Sequence, residues 1–289
     1  MNKFWIGIGL VAGLAFGTSA PAQAPAAWSA PTAPFKIADN LYYVGTEGIS
    51  SYLITTPSGH ILIDGAMPTS AKLIEASIIK LGFKVADVKV LLNTHAHFDH
   101  TGGLAELKRD TGAKMAASAG DKPALESGTY LGSEEVKAFN FVPVRVDRVL
   151  KDGDVVRLGE AVLTANITPG HTAGCTTWSF PVKVAGVTRQ ALVYCSTSVA
   201  ANRLASKTRG PQYPGIVENY RKTFARLKTM KADIFLAPHA EQFGLAAKRA
   251  KLTAGGQNPF VDPTELARAV SQSEADFNRD LARQEAAAK

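Results

Sequence analysis

Short apolar runs separated by turn residues predict β-strands in the first part of the chain. The runs Ser51–Ile54 and His60–Ile63 are separated by Pro57-Ser58-Gly59, residues that favour a tight turn. With the earlier run Leu41–Val44 they predict a meander of three strands. Later runs predict two or three strands within Val149–Ile167, a hairpin of Thr176–Val182 with Gln190–Tyr194, and a strand at Asp233–Ala237.

Helical spacing of apolar residues predicts helices at Pro68–Leu81, Ile216–Met230 and Pro263–Ala287. A mostly apolar strand, Val88–Thr94, leads directly into His95. Strands and helices occur in both halves of the chain, which predicts a layered α/β domain. No low-complexity segment interrupts residues 27–289, so we expect one domain over that range.

The first 22 residues predict a secretory signal. Met1-Asn2-Lys3 precedes the apolar stretch Phe4–Phe16, which is too short to span a bilayer. Small residues between about positions 22 and 26 offer cleavage sites, with a mature start near Gln23 or Ala27. We expect a soluble periplasmic monomer with no membrane anchor, since no cysteine follows the signal and no later stretch approaches about eighteen apolar residues.

Composition narrows the chemistry further. The net charge of +7 comes from basic residues scattered among acidic ones, so it does not predict nucleic-acid binding and suits small anionic ligands equally well. The chain has two cysteines and no Cys-x-x-Cys pair, which excludes a sulfur-rich zinc ribbon. A bound metal would therefore rely on histidine and carboxylate ligands.

The histidines carry the strongest chemical signal. Three of the six fall within His95-Ala96-His97-Phe98-Asp99-His100. Residues two apart at a strand end point the same way, so His95 and His97 can face one point, and the following turn brings Asp99 and His100 to a second point nearby. Zinc binds imidazole and carboxylate ligands in tetrahedral sets. We therefore expect this loop to contribute ligands to two metal sites.

The other histidines differ in their surroundings. His171, in Thr168-Pro-Gly-His171-Thr172, and His239, in Ala237-Pro-His239, both follow predicted strands and are placed like metal ligands. His60 lies inside a strand-like run without a partner motif, and we expect a structural role for it.

These motifs resemble the metallo-β-lactamase superfamily, and within it subclass B3. The family pattern His-x-His-x-Asp-His matches His95–His100, Gly-His-Thr matches Gly170–Thr172, and the last family histidine matches His239. The resemblance implies a four-layer αβ/βα sandwich with two zinc ions at one edge. It implies that the first zinc binds His95, His97 and His171, and that the second binds Asp99, His100 and His239.

The subclass follows from what is missing between the last two motif histidines. Glyoxalase II and the lactonases of the superfamily bridge their zincs with an aspartate there, on a strand like Ala191–Cys195, whereas the only aspartate in this chain between His171 and His239 is Asp233. Subclass B1 has a zinc-binding cysteine there with a lysine three residues on. Cys195 is followed instead by Ser196-Thr-Ser198, and His100 completes the second site, as in subclass B3.

The resemblance also implies roles around the metals. Ser196 and Ser198 match serines that assist substrate binding, and Asn202 or Arg203 replaces other pocket groups. Asp64, Thr94 and Thr172 are candidates to hold the imidazoles through their other ring nitrogens. Asp99 would also act in catalysis, orienting a zinc-bound hydroxide that attacks the lactam carbonyl without an acyl-enzyme.

Cys175 and Cys195 flank the predicted hairpin, whose midpoint near Ala185 places them opposite each other. An exported protein can oxidise such a pair, so we favour a disulfide or two buried thiols. The alternative is that Cys195 intrudes on the second zinc.

The sequence thus predicts a secreted zinc β-lactamase that opens penicillins, cephalosporins and carbapenems and confers antibiotic resistance. One alternative is another hydrolase of the same fold, a lactonase or thioesterase. A second alternative is a periplasmic zinc-binding protein without catalytic activity.

Overall fold

The computed structural model describes residues 24–289, and the predicted signal segment, residues 1–22, lies outside the described residues. Two β-sheets and seven α-helices make up the described part of the chain. Among these residues no helix combines the length and the apolar character that a bilayer crossing requires.

The first sheet has seven strands in chain order. They are β1 (Phe35–Ala38), β2 (Leu41–Tyr43), β3 (Tyr52–Thr56), β4 (Gly59–Ile63), β5 (Val88–Leu92), β6 (Lys114–Ser118) and β7 (Arg148–Leu150). Strands β2 to β4 pair antiparallel, as expected for the three-strand meander, β1 extends it antiparallel to β2, and β4 to β7 pair parallel.

The second sheet has five strands in the order β12, β11, β10, β9, β8. They are β8 (Val155–Leu158), β9 (Ala161–Ile167), β10 (Thr176–Val184), β11 (Val187–Val193) and β12 (Ile234–Leu236). Only β11 and β12 pair parallel. The predicted strands within Val149–Ile167 therefore belong to different sheets, because the chain crosses between the sheets after Leu150.

The helices cover both outer faces. They are α1 (Ala71–Lys80), α2 (Phe98–Thr101), α3 (Leu104–Thr111), α4 (Lys122–Ser127), α5 (Ile216–Leu227), α6 (Leu245–Ala254) and α7 (Glu265–Ala288). Short 3-10 turns occupy Ala26–Trp28, Val85–Asp87, Lys137–Phe139 and Ala240–Phe243. The sequence analysis did not predict β1, β6, α3, α4 or α6.

Alternation along the inner strands produces the four layers. Leu53 and Leu62 pack with the helices α1 and α3, whereas Ile54 and Ile63 face the second sheet, where Trp178 is fully buried. On the opposite outer face, the rings of Tyr220 in α5 and Phe277 in α7 stack 4.8 Å apart. The arrangement confirms the predicted αβ/βα sandwich.

Candidate metal centre

The residues predicted as metal ligands follow the ends of three strands and lie together at one edge of the sandwich. His95 to His100 follow β5 of the first sheet, whereas His171 follows β9 and His239 follows β12 of the second sheet. Asp99 and the five histidines are buried or nearly so. The indole N–H of Trp178 donates a 2.9 Å hydrogen bond to the main-chain oxygen of Asn93, which connects β10 to the segment that leads into His95.

The turn before His171 requires glycine. Gly170 has a φ of 150°, and a Cβ atom at this position would lie 2.8 Å from a ring carbon of Tyr220. The absence of a side chain therefore lets the chain turn closely over the ring and present His171 at the sheet edge.

The six residues predicted as metal ligands form two groups. His95, His97 and His171 make one group, and Asp99, His100 and His239 make the other, with ligand atoms in each group no more than 4.8 Å apart. In the first group the Nε2 atoms of His95 and His171 are 3.2 Å apart. In the second group the Nε2 atoms of His100 and His239 are 3.1 Å apart.

Hydrogen bonds assign the tautomers of two of the three histidines in the first group, His95 and His171. Thr94 donates its hydroxyl hydrogen to Asp64 over 2.7 Å, so at 3.1 Å the same hydroxyl accepts from Nδ1 of His95. The Nδ1 of His171 donates to the main-chain oxygen of Ser198 over 2.7 Å. In the neutral rings both Nε2 atoms then carry lone pairs that face each other with no hydrogen between them.

A cation between these lone pairs resolves their repulsion. At zinc–nitrogen distances of about 2.0–2.1 Å, two ligands of a tetrahedral ion lie about 3.3 Å apart, close to the observed separations. The second group adds a carboxylate, since Oδ2 of Asp99 lies 3.3 Å from Nε2 of His100 and 3.5 Å from Nε2 of His239. The residues present therefore fit two zinc ions.

The pKa directions of five of the six residues suit metal ligation, whereas for His100 burial lowers the pKa but the neighbouring Asp99 carboxylate outweighs burial and raises it. Burial lowers the pKa of His95 and His97 well below the usual histidine value, and neighbouring histidines lower it further. Burial also lowers the pKa of His171 to about 4 and that of His239 to about 3. For Asp99 burial raises the pKa, but the nearby histidines outweigh it, so the net pKa is lowered and the carboxylate is ionised at neutral pH.

The residues predicted to hold the imidazoles divide into two kinds. Asp64 is fully buried and accepts bonds from both the main-chain amide and the hydroxyl of Thr94, and the Thr94 hydroxyl in turn contacts the His95 ring. For Thr172 the described residues show no hydrogen bond between its hydroxyl and a candidate ligand ring. The acceptor for His171 is instead the Ser198 carbonyl, which no side-chain motif could indicate.

The predicted pocket residues also differ from one another. Ser198 is exposed, and its hydroxyl lies 3.4 Å from Nδ1 of His171. Ser196 is buried and contacts the Ser198 hydroxyl at 3.1 Å. Arg203 points its guanidinium at Ser133 and Gly132, over a loop beside the site.

Asn202 has a place that the sequence did not predict. Its side chain is buried, donates to the His171 oxygen over 2.8 Å and accepts from the Tyr130 hydroxyl over 2.7 Å. Tyr130 in turn packs against the His97 ring at 4.4 Å between centroids. Both ends of the Asn202 amide are thus engaged with groups next to His171 and His97.

Two aromatic contacts concern the remaining histidines. Trp28 lies edge-on to His239 at 5.1 Å, so the N-terminal part of the described chain packs against the site. His60 packs edge-on to Phe83 at 5.0 Å, away from the metal ligands, and its ring nitrogens have no partner in the described residues.

Cys175 and Cys195 form a disulfide with Cα atoms 5.8 Å apart. The hairpin register differs by one residue from the expected one. Val184 pairs with Val187 around a two-residue turn, Ala185-Gly186, in which both residues have positive φ. Continuing this register places Thr176 opposite Cys195, and the bridge therefore joins the chain diagonally just beyond the paired strands.

Comparison with known proteins places this architecture. A family model described as the metallo-beta-lactamase superfamily matches residues 44–187. BJP-1, a subclass B3 metallo-β-lactamase of Bradyrhizobium japonicum, is 50% identical with a TM-score of 0.88, over 91% of this chain and 99% of that chain. FEZ-1, a metallo-β-lactamase from Legionella gormanii, is 42% identical with a TM-score of 0.84, over 89% of this chain and 98% of that chain.

Curated relatives of another activity match only a part of the chain. Hydroxyacylglutathione hydrolase of Rhodospirillum rubrum is 34% identical over 107 residues, which are 37% of this chain and 34% of that protein. An acyl-coenzyme A thioesterase of Gallus gallus is 37% identical over 94 residues, 28% of this chain and 33% of that protein. The chain thus matches about a third of the length of these relatives.

Proposed function

Because the chain belongs to the metallo-β-lactamase superfamily, and within it to subclass B3, we propose that this hydrolase opens the amide bond of β-lactams with two zinc ions. The first zinc is held by His95, His97 and His171, and the second by Asp99, His100 and His239. The observation that carries the proposal is the set of donor atoms, which forms two adjacent groups of three. In one group the Nε2 lone pairs of His95 and His171 face each other with no hydrogen between them.

The metal-bridging aspartate of the related hydrolases has no counterpart among the described residues of the candidate site, which supports the proposed β-lactamase activity. Asp233 lies at the start of β12, where it accepts a 2.7 Å bond from the Gln190 amide, at the opposite end of the strand from His239. It is not placed to bridge two metals. Cys195 is bonded to Cys175, so its sulfur is engaged in the bridge. The second group therefore relies on His100 and Asp99.

Bound zinc would supply a nucleophile, because it lowers the pKa of a coordinated water to about 7. The chain's own groups would do the rest. The ionised Asp99 carboxylate can accept a hydrogen bond from the attacking water and take up its proton. The exposed Ser198 hydroxyl, with Ser196 behind it, can donate to a substrate carboxylate at the mouth of the site.

Ser198 itself is a poor nucleophile in this geometry. Its nearest ring nitrogen, Nδ1 of His171, donates a hydrogen to the Ser198 carbonyl and has no lone pair with which to deprotonate the hydroxyl. Hydrolysis would therefore proceed without an acyl-enzyme. The proposal includes export through residues 1–22, action in the periplasm as a single-domain monomer of residues 27–289, hydrolysis of penicillins, cephalosporins and carbapenems, and antibiotic resistance as the biological role.

The test measures hydrolysis of a carbapenem and a penicillin by the purified protein, with chelator and with zinc added back. We expect turnover that chelator abolishes and zinc restores, with two zinc ions bound per chain. A lactone and an acylglutathione thioester are assayed in parallel because of the partial hydrolase and thioesterase matches. Two bound zinc ions with thioester or lactone turnover and no lactam turnover would contradict the β-lactamase assignment, and zinc binding without turnover of any of these substrates would indicate a zinc-binding protein.

A further inference from the structure

A loop without regular secondary structure, residues 198–205, packs against the first ligand group and makes hydrogen bonds to His171. Ser198 accepts the hydrogen bond that orients the His171 ring, and Asn202 binds the His171 main-chain oxygen. Asn202 also anchors Tyr130, which packs on His97. Residues 198–205 therefore contact two of the three ligands, directly or through one side chain.

The C-terminal helix holds this loop through one side chain. Gln284, in the last two turns of α7, accepts bonds from the main-chain amides of Leu204 at 2.7 Å and Ala205 at 3.3 Å. Its Nε2 donates to the main-chain oxygen of Asn202 over 3.0 Å. Both ends of the amide are thus used to fix the backbone on either side of Arg203.

From this chain of contacts we propose that Gln284 is a positioning residue for the first metal group. A Gln side chain that satisfies three main-chain groups fixes the backbone of a loop that has no ladder of its own. The fixed backbone sets where the Asn202 amide meets His171 and Tyr130. Partners one contact removed from a ligand tune metal affinity, and Gln284 acts one contact further out. The inference rests on the proposed metal site and not on the choice of substrate.

The primary test compares Gln284→Ala with Glu285→Ala, an exposed neighbour on the same helix. Zinc dissociation constants are measured by competition with a fluorescent chelator, which needs no turnover. We expect Gln284→Ala to raise one of the two constants by roughly threefold to tenfold, less than for a direct partner of a ligand. We expect Glu285→Ala to leave both constants unchanged.

A second variant separates positioning from folding. Gln284→Glu keeps the side-chain length and the acceptor for the Leu204 amide but places a carboxylate oxygen against the Asn202 main-chain oxygen. We expect a raised zinc constant in a variant whose metal-free circular dichroism spectrum matches that of the wild type. Tyr130→Phe removes the bond to Asn202 and keeps the ring on His97. If Tyr130 and Gln284 both act through Asn202, the effects of Tyr130→Phe and Gln284→Ala on zinc affinity will be non-additive in the double variant.

Three results would overturn the inference. They are unchanged zinc constants in Gln284→Ala, an equal rise in both constants, and additive effects in the double variant. If the wild-type protein binds no zinc, the proposed function fails together with the inference. If the wild type binds two zinc ions and Gln284→Ala binds them equally well, only the inference fails.

Discussion

The phenol of Tyr52 donates a 2.7 Å hydrogen bond to the main-chain oxygen of Ala237, which lies 185 residues later in the chain. Tyr52 belongs to β3 of the first sheet, and Ala237 follows β12 of the second, two residues before His239. Both residues are fully buried. The bond thus fixes the strand end that carries His239 against the opposite sheet.

We expect Tyr52→Phe to lower the free energy of unfolding by about 1–2 kcal/mol, because a buried carbonyl oxygen loses its partner while the ring remains. Urea denaturation of the metal-free protein measures the change. Tyr42→Phe is the matched control, since the Tyr42 hydroxyl lies as far as 3.5 Å from its acceptor, at the limit of a hydrogen bond, and Tyr42 is partly exposed. Equal effects of the two substitutions would argue against the role assigned to the Tyr52 bond.

Thr94 offers a direct test of the hydrogen-bond chain from Asp64 to His95. Thr94→Val keeps the side-chain volume but removes the hydroxyl that accepts from Nδ1 of His95. We expect zinc to bind about tenfold to a hundredfold more weakly, as measured by chelator competition. Thr56→Val removes another buried hydroxyl, at the β3–β4 turn, and is expected to leave zinc affinity unchanged. Wild-type zinc affinity in Thr94→Val would refute the assigned tautomer chain.

The disulfide makes a prediction about stability. Replacing both Cys175 and Cys195 with serine is expected to cost about 3 kcal/mol of unfolding free energy, because the unfolded chain regains the entropy of a loop of about twenty residues. Chemical denaturation with and without reductant measures it. Reductant should destabilise the wild type and leave the double variant unaffected. A free-thiol count of two on unreduced protein would show that the bridge is absent.

The elements that the sequence predicted are those with a strong local pattern. The continuous apolar runs of β3 and β4 mark strands buried on both faces, and the helical spacing of α1, α5 and α7 marks helices with one buried face. Strand β6, Lys114–Ser118, was missed because its small residues carry no such period. Its place between β5 and β7 is set by parallel pairing with residues far away in the chain.

The site shows the same division. Metal-ligand residue types in a fixed spacing identified His95 to His100, and strand ends indicated His171 and His239. The contacts that orient these ligands were less visible, because they come from main-chain atoms such as the Ser198 oxygen or from distant side chains such as Gln284. The contacts of the Asn202 amide with the His171 main-chain oxygen and with Tyr130 are of the same kind, because they join residues distant in the sequence.

The crossing of the chain from the first sheet to the second after Leu150 divides the ligands between the two halves of the fold. Each group of three takes two ligands from the first half and one from the second, so neither half alone contains a complete group. If each group holds an ion as proposed, an opening between the sheets would break both groups and release both ions together. Metal ions bound as proposed would therefore link the two halves of the chain, and their binding free energy would also oppose separation of the two sheets.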